Sequence, residues 1–167
     1  MPCETTPAHL RDLSQGEHML VWGVRAMAFE VGACPLVRRQ FEGACGVAGF
    51  EALNALEVFV RELARRGRRK VTLCVPGSYR LSRDEQLIVA IFAAAQMEDY
   101  PRLEAHLAWL LADACQPPFP AAACLVAQAF AMNGLILRVP DMAPPPVAMA
   151  VYEADDVVVS FRRAAAV

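Results

Sequence analysis

At 167 residues and net charge −2, the chain suits one domain with a substantial core, and its balance gives no general attraction to nucleic acid or to an anionic membrane. Apolar residues make up 56% and charged residues 20%, greasier than an average soluble domain. Much of the excess is alanine, which points to tight helix packing, and the shortage of charge predicts a homodimer or a protein partner that hides apolar surface.

Residues 1–12, MPCETTPAHLRD, read as a flexible lead with no apolar segment for an export signal, and 13–163 as a single domain. No single stretch reaches the length of a membrane span. Six cysteines are too few for a disulfide scaffold, so reduced thiols in a cytoplasmic protein are expected.

Leu13-Ser14-Gln15-Gly16-Glu17 is a capping box, in which Ser14 and Glu17 each satisfy the other's backbone N–H. Leu20, Val24, Met27 and Val31 follow at helical spacing, joined by Val21 and Ala28, which predicts a helix over 14–30 ended by Gly32. Residues 32–49 hold four glycines and two cysteines, and read as a loop with apolar anchors, with at most one helical turn at Leu36, Val37 and Phe41. From Phe50 the period is clear. Phe50, Leu53, Leu56, Val60, Leu63 and Ala64 form a stripe, and Gly67 closes a helix over 50–66. Val71–Val75 is a short β-favouring run closed by Pro76-Gly77.

Leu81-Ser82-Arg83-Asp84-Glu85 repeats the earlier box and opens a stretch of nine consecutive apolar residues, Leu87 to Ala95. Nine is too few to cross a bilayer, so 81–97 is expected to be a core helix covered on most sides. Asp99 and Pro101 start a further helix to about 114, with Leu103, Leu107, Leu110, Leu111 and Ala114 inward and Trp109 on the border. Residues 120–133 form another apolar helix, ended by Asn133-Gly134. Leu135–Val139 reads as a strand, and Val147–Tyr152 with Val157–Phe161 as a hairpin. The fold class expected is α+β, mostly helical: four or five helices around the central apolar helix 81–97, with a small sheet that includes a C-terminal hairpin. The two Leu-Ser-x-x-Glu openings also suggest a weak helix-pair pseudo-repeat, 13–66 and 81–114.

Few residues look chemical. No Cys-x-x-Cys pair exists, and Cys34 and Cys45 are too far apart for a zinc hook, so no metal and no cofactor is expected. His18, Cys34, Cys45, Cys74 and Tyr79 are the candidates for a ligand or reactive site where loop 32–49 would meet 74–80. Cys45 beside Gly46 is the best reactive thiol among them. Val75-Pro76-Gly77-Ser78-Tyr79 lies between a strand and a capped helix, where loops often line sites, but it carries no nucleotide-binding glycine pattern. Arg65, Arg66, Arg68, Arg69 and Lys70 put five basic side chains into six residues, with Arg61 one turn earlier. This corner is a candidate anion site, although a nucleic-acid binder usually shows more basic surface. No catalytic residues stand out. The leading expectation is a small cytoplasmic accessory or regulatory protein acting by protein–protein binding or self-association. A small-molecule-binding domain or enzyme with a site near 32–49 and 74–80, and a nucleic-acid-binding regulator using 61–70, are the alternatives.

Overall fold

The computed structural model describes residues 9–66, 70–111 and 118–138, and the backbone alone of 156–159. Among them the protein is mostly helical. The helices are α1 (Gln15–Ala28), α2 (Pro35–Cys45), α3 (Gly49–Arg66), α4 (Arg83–Gln96), α5 (Tyr100–Leu110) and α6 (Pro118–Met132). Two short strands, β1 (Val71–Cys74) and β2 (Asp156–Val159), pair antiparallel with Val71 opposite Val159 and Cys74 opposite Asp156.

Both capping boxes form. Ser14 accepts from the Glu17 N–H and the Glu17 carboxylate accepts from the Ser14 N–H; Ser82 and Glu85 do the same. Helix α4 is central as expected, with every residue from Ile88 to Ala95 buried. Helices α1, α5 and α6 and strand β1 pack on it, and α3 runs along α6. The aromatic centre is Phe59 of α3, 4.8 Å from Phe92 of α4 and edge-on to Phe119 of α6 at 5.6 Å. Such pairs add about 0.5–1.5 kcal/mol each beyond the area they bury. Alanine and glycine let the helices close up around it. A Cβ on Gly23 of α1 would lie 2.8 Å from both Leu56 Cδ2 and Phe41 Cζ, so α1 can approach α2 and α3 only because that position is bare.

The structure corrects several expectations. The glycine-rich 32–49 segment is not an anchored loop: Pro35 starts α2, Val37, Phe41 and Cys45 bury one face of it, and a 3₁₀ turn at Gly46–Ala48 leads into α3. Pro35 is tolerated there because the first-turn N–H it lacks has no helical partner anyway. Helix α1 stops earlier than Gly32, at Ala28, with Glu30 at φ 59, and this leaves Val31 outside the core. Phe50 is exposed and sits under the Arg38 guanidinium, 4.8 Å from ring centroid to charge. Residues 135–138 are extended but belong to no ladder, because side chains occupy their backbone groups. The C-terminal hairpin is not shown. Its first expected strand, Val147–Tyr152, lies outside the described residues, as do Ala114 and the lead at 1–8.

With α2 and α3 running on from each other, Pro35–Arg66 does reach the length and apolar composition that could cross a bilayer. The run is interrupted where Gly46 takes φ 58, and Leu53, Leu56, Phe59, Val60 and Leu63 are spent on the protein's own core.

Candidate functional site

The second capping box is the base of a buried, fully bonded polar group. Glu85 is buried at the N-terminus of α4 and faces Arg25, which α1 carries into the core; the two side chains are 1% and 3% exposed. The guanidinium grips the carboxylate in a fork, Nε to Oε1 at 2.6 Å and Nη2 to Oε2 at 3.0 Å. Two backbone donors complete the carboxylate shell: the Cys74 N–H to Oε1 at 3.2 Å and the Ser82 N–H to Oε2 at 2.8 Å. The remaining guanidinium donors reach into the segment between β1 and α4. Nη1 donates to the Ser78 carbonyl at 2.9 Å and Nη2 to the Arg80 carbonyl at 2.7 Å. Isolated buried charges are very costly, and a pair is tolerated only when the leftover lone pairs and protons are bonded as well. That condition is met: among the described residues no buried side-chain nitrogen or oxygen lacks a partner.

Arg25 thereby fixes loop 75–80 from beneath. Other bonds fix it from the side. The Ser78 N–H closes a turn on the Val75 carbonyl at 3.0 Å, and the Leu10 N–H donates to the Tyr79 carbonyl at 2.9 Å. His9 and Arg80 form an isolated antiparallel bridge. The backbone is held on both flanks while the Tyr79 side chain stands 82% exposed, with Val75 exposed near it in the loop.

Glu17 plays the matching part in the first box. It is buried and accepts from the Arg138 backbone N–H at 2.6 Å and from Arg138 Nη2 at 2.9 Å. Burial by itself would raise this carboxyl. The hydrogen bonds from the Arg138 side chain and from the Ser14 and Arg138 backbones outweigh it and hold the group below the ordinary carboxylate value.

The residues singled out from the sequence are not gathered into one pocket. His18 is on α1, where it lines an open groove of about 420 Å3 with Trp22, Leu36 and Gln40. Cys34 and Cys45 occupy opposite ends of α2, about 16 Å apart by helical rise, so they do not share a ligand. Cys45 is buried, and burial pushes its thiol above the ordinary value, the opposite of what a reactive thiolate needs. Cys74 is buried in β1 under the Arg25–Glu85 pair. Only Cys74 and Tyr79 lie at the same place, the base and the tip of loop 75–80. Among the described residues no group of three or more His, Cys, Asp or Glu side chains could hold a metal ion.

The basic corner is partly neutralised. Arg65 and Arg66 both pair with Glu62, at 3.1 and 3.2 Å, while Arg61 and Lys70 are exposed. Arg68 and Arg69 lie outside the described residues.

Arg25 was not visible as a site residue from apolar periodicity. A signal was there nonetheless: it is the lone charge between His18 and Glu30, in a helix apolar on nearly every side. A single arginine in such a setting implies a buried acidic partner. No protein-family model, curated protein or solved structure matches the chain.

Proposed function

We propose that this protein acts by binding, as an accessory or regulatory protein whose contact surface is loop 75–80 and whose partner is a second copy of itself. The observation that carries the reading is the use of a buried ion pair to fix the backbone of an exposed loop. Arg25 gives two of its donors to loop carbonyls, and the residue held between them is an outward tyrosine. Tyrosine brings a large, stiff, amphipathic contact surface, and a rigid support lowers the ordering cost of binding. The apolar excess of the chain supports a like partner. Tyr100, Trp109, Met97 and Met132 are further exposed apolar side chains, outside the loop. A cytoplasmic, reducing setting belongs to the same proposal, with Cys45 and Cys74 acting as small apolar core residues. So does the finer fold expectation, a small sheet on β1 extended by a C-terminal hairpin, which the β1–β2 ladder supports.

Sedimentation equilibrium of the wild-type chain and of Tyr79→Ser tests this. The wild type should be dimeric, and the variant should keep its helical spectrum while its dimer weakens about 30-fold, as expected for loss of an interface anchor. A wild type that stays monomeric at the highest soluble concentration rules out self-association. A dimer untouched by Tyr79→Ser places the interface elsewhere.

A further inference from the structure

The chain uses one device twice. At the second box, Ser82 Oγ donates to the Thr72 carbonyl at 2.6 Å while Glu85 Oε1 accepts from the Cys74 N–H at 3.2 Å. At the first box, Ser14 Oγ donates to the Ile136 carbonyl at 2.8 Å while Glu17 Oε1 accepts from the Arg138 N–H at 2.6 Å. Each Ser-x-x-Glu box thus reads an extended segment at one carbonyl and at the N–H two residues later.

Backbone groups of an extended chain alternate between its two edges, so residues 135 and 137 face away from Ser14 and Glu17. Gln96, at the end of α4, takes that second edge. Its Nε2 donates to the Leu135 carbonyl at 3.0 Å and its Oε1 accepts from the Leu137 N–H at 2.8 Å. Three side chains therefore read the main chain of four successive residues on both edges. The side chains alternate as well: Leu135 and Leu137 are buried, Ile136 and Arg138 are exposed. Gly16 allows the close approach, since a Cβ there would lie 3.2 Å from the Leu135 carbonyl carbon and Cβ. This is how a groove takes an extended peptide, with main-chain bonds for affinity and alternate pockets for specificity.

The two boxes differ in where the cation comes from. Glu85 is neutralised by Arg25, a fixed part of the body, and both are buried. Glu17 is neutralised by Arg138, which belongs to the bound segment itself, and that side chain is 60% exposed against 3% for Glu17. The second box is permanently satisfied. The first depends on its occupant to bring an arginine.

We propose that the groove formed by Ser14, Glu17 and Gln96 between α1, α4 and α6 is a binding site for extended peptides of the pattern apolar–any–apolar–Arg. Leu135–Arg138 fills it in cis as a strap, and a partner's segment of the same pattern replaces the strap when it lifts. The strap departs from α6 at Asn133-Gly134, where Gly134 takes φ 72 and the Leu135 N–H still caps the helix on the Phe130 carbonyl at 2.9 Å, so lifting Leu135 also gives up that cap. The site is separate from loop 75–80 and does not depend on the function proposed for that loop.

A fluorescent acetyl-Leu-Ile-Leu-Arg-amide peptide tests the site by anisotropy against the full chain. A tethered strap competes at an effective concentration of about a millimolar, so the wild type should resist the peptide. Arg138→Ala should bind it at least about tenfold more tightly than the wild type, and a Leu-Ile-Leu-Ala peptide should bind that variant at least about tenfold more weakly. No binding to a folded Arg138→Ala chain overturns the proposal, as does equal affinity for the two peptides. Amide exchange on the wild type decides the matter even if the variant does not fold. The Leu137 and Arg138 amides should exchange through local opening, at least about tenfold faster than Thr72 and Cys74. Equal protection at the two boxes would mean that the strap does not lift.

Discussion

Replacing Arg25 by methionine keeps most of the side-chain volume and removes the charge. Glu85 would then remain buried with the Cys74 and Ser82 N–H groups as its donors, and the Ser78 and Arg80 carbonyls would each lose a charged donor. Breaking a buried pair from one side costs about 3–5 kcal/mol, against a total of about 5–15 kcal/mol for a domain. With a urea slope of about 2 kcal/mol per molar, the unfolding midpoint should fall by roughly 2 M. Arg25→Met with Glu85→Gln removes the stranded charge but keeps an acceptor for only one of the Cys74 and Ser82 N–H groups, which use different oxygens of the carboxylate. The double variant should therefore be more stable than the sum of the singles by about 1–3 kcal/mol. The readout is far-UV circular dichroism during urea unfolding, with limited proteolysis at 75–80 as a local probe. An Arg25→Met cost below about 1 kcal/mol, or strict additivity of the pair, would refute the view that this ion pair holds the loop.

Three further predictions follow from particular contacts. Gly23→Ala should cost about 1–3 kcal/mol by urea unfolding, because the new methyl meets Leu56 and Phe41 side chains at 2.8 Å and both must shift. Glu17 is held below its ordinary value of 4.5, so it contributes stability that is full above that pH and is lost as pH falls through the lower folded value; Glu17→Gln should flatten the acid limb of the stability profile. The His106 imidazole is held below 6.5, first by burial and then by Arg102. The unfolded chain therefore binds the proton more readily, and stability should drop as pH falls below 6.5, a slope that His106→Gln should remove.

Much of the helical framework was legible because its signals are local. The two capping boxes, the apolar run at 87–95 and the stripe at 53–63 each follow from a few neighbouring residues. Helix α2 was missed because its buried face rests on only Val37, Phe41 and Cys45, and four glycines around it resemble loop composition. Burial at α3 shows the limit of periodicity. Phe50 begins the stripe by spacing, yet its position at the first turn puts it beside Arg38 rather than in the core. The extended segment 135–138 has the composition of a strand, and what distinguishes it is that Gln96, Ser14 and Glu17 satisfy its backbone from remote positions. The same limit hid the Arg25–Glu85 pair. Glu85 was recognisable as a capping residue, but its second role depends on α1 crossing α4, which no sequence spacing encodes.

The central claim is that loop 75–80, held from beneath by Arg25, is the surface through which two copies meet. Hydrogen exchange of the wild-type chain at low and at high micromolar concentration tests it most directly. The account predicts that amides within 75–80 gain protection as the dimer forms, and that Tyr79→Ser abolishes the gain. A dimer that forms with no added protection in that loop would contradict it.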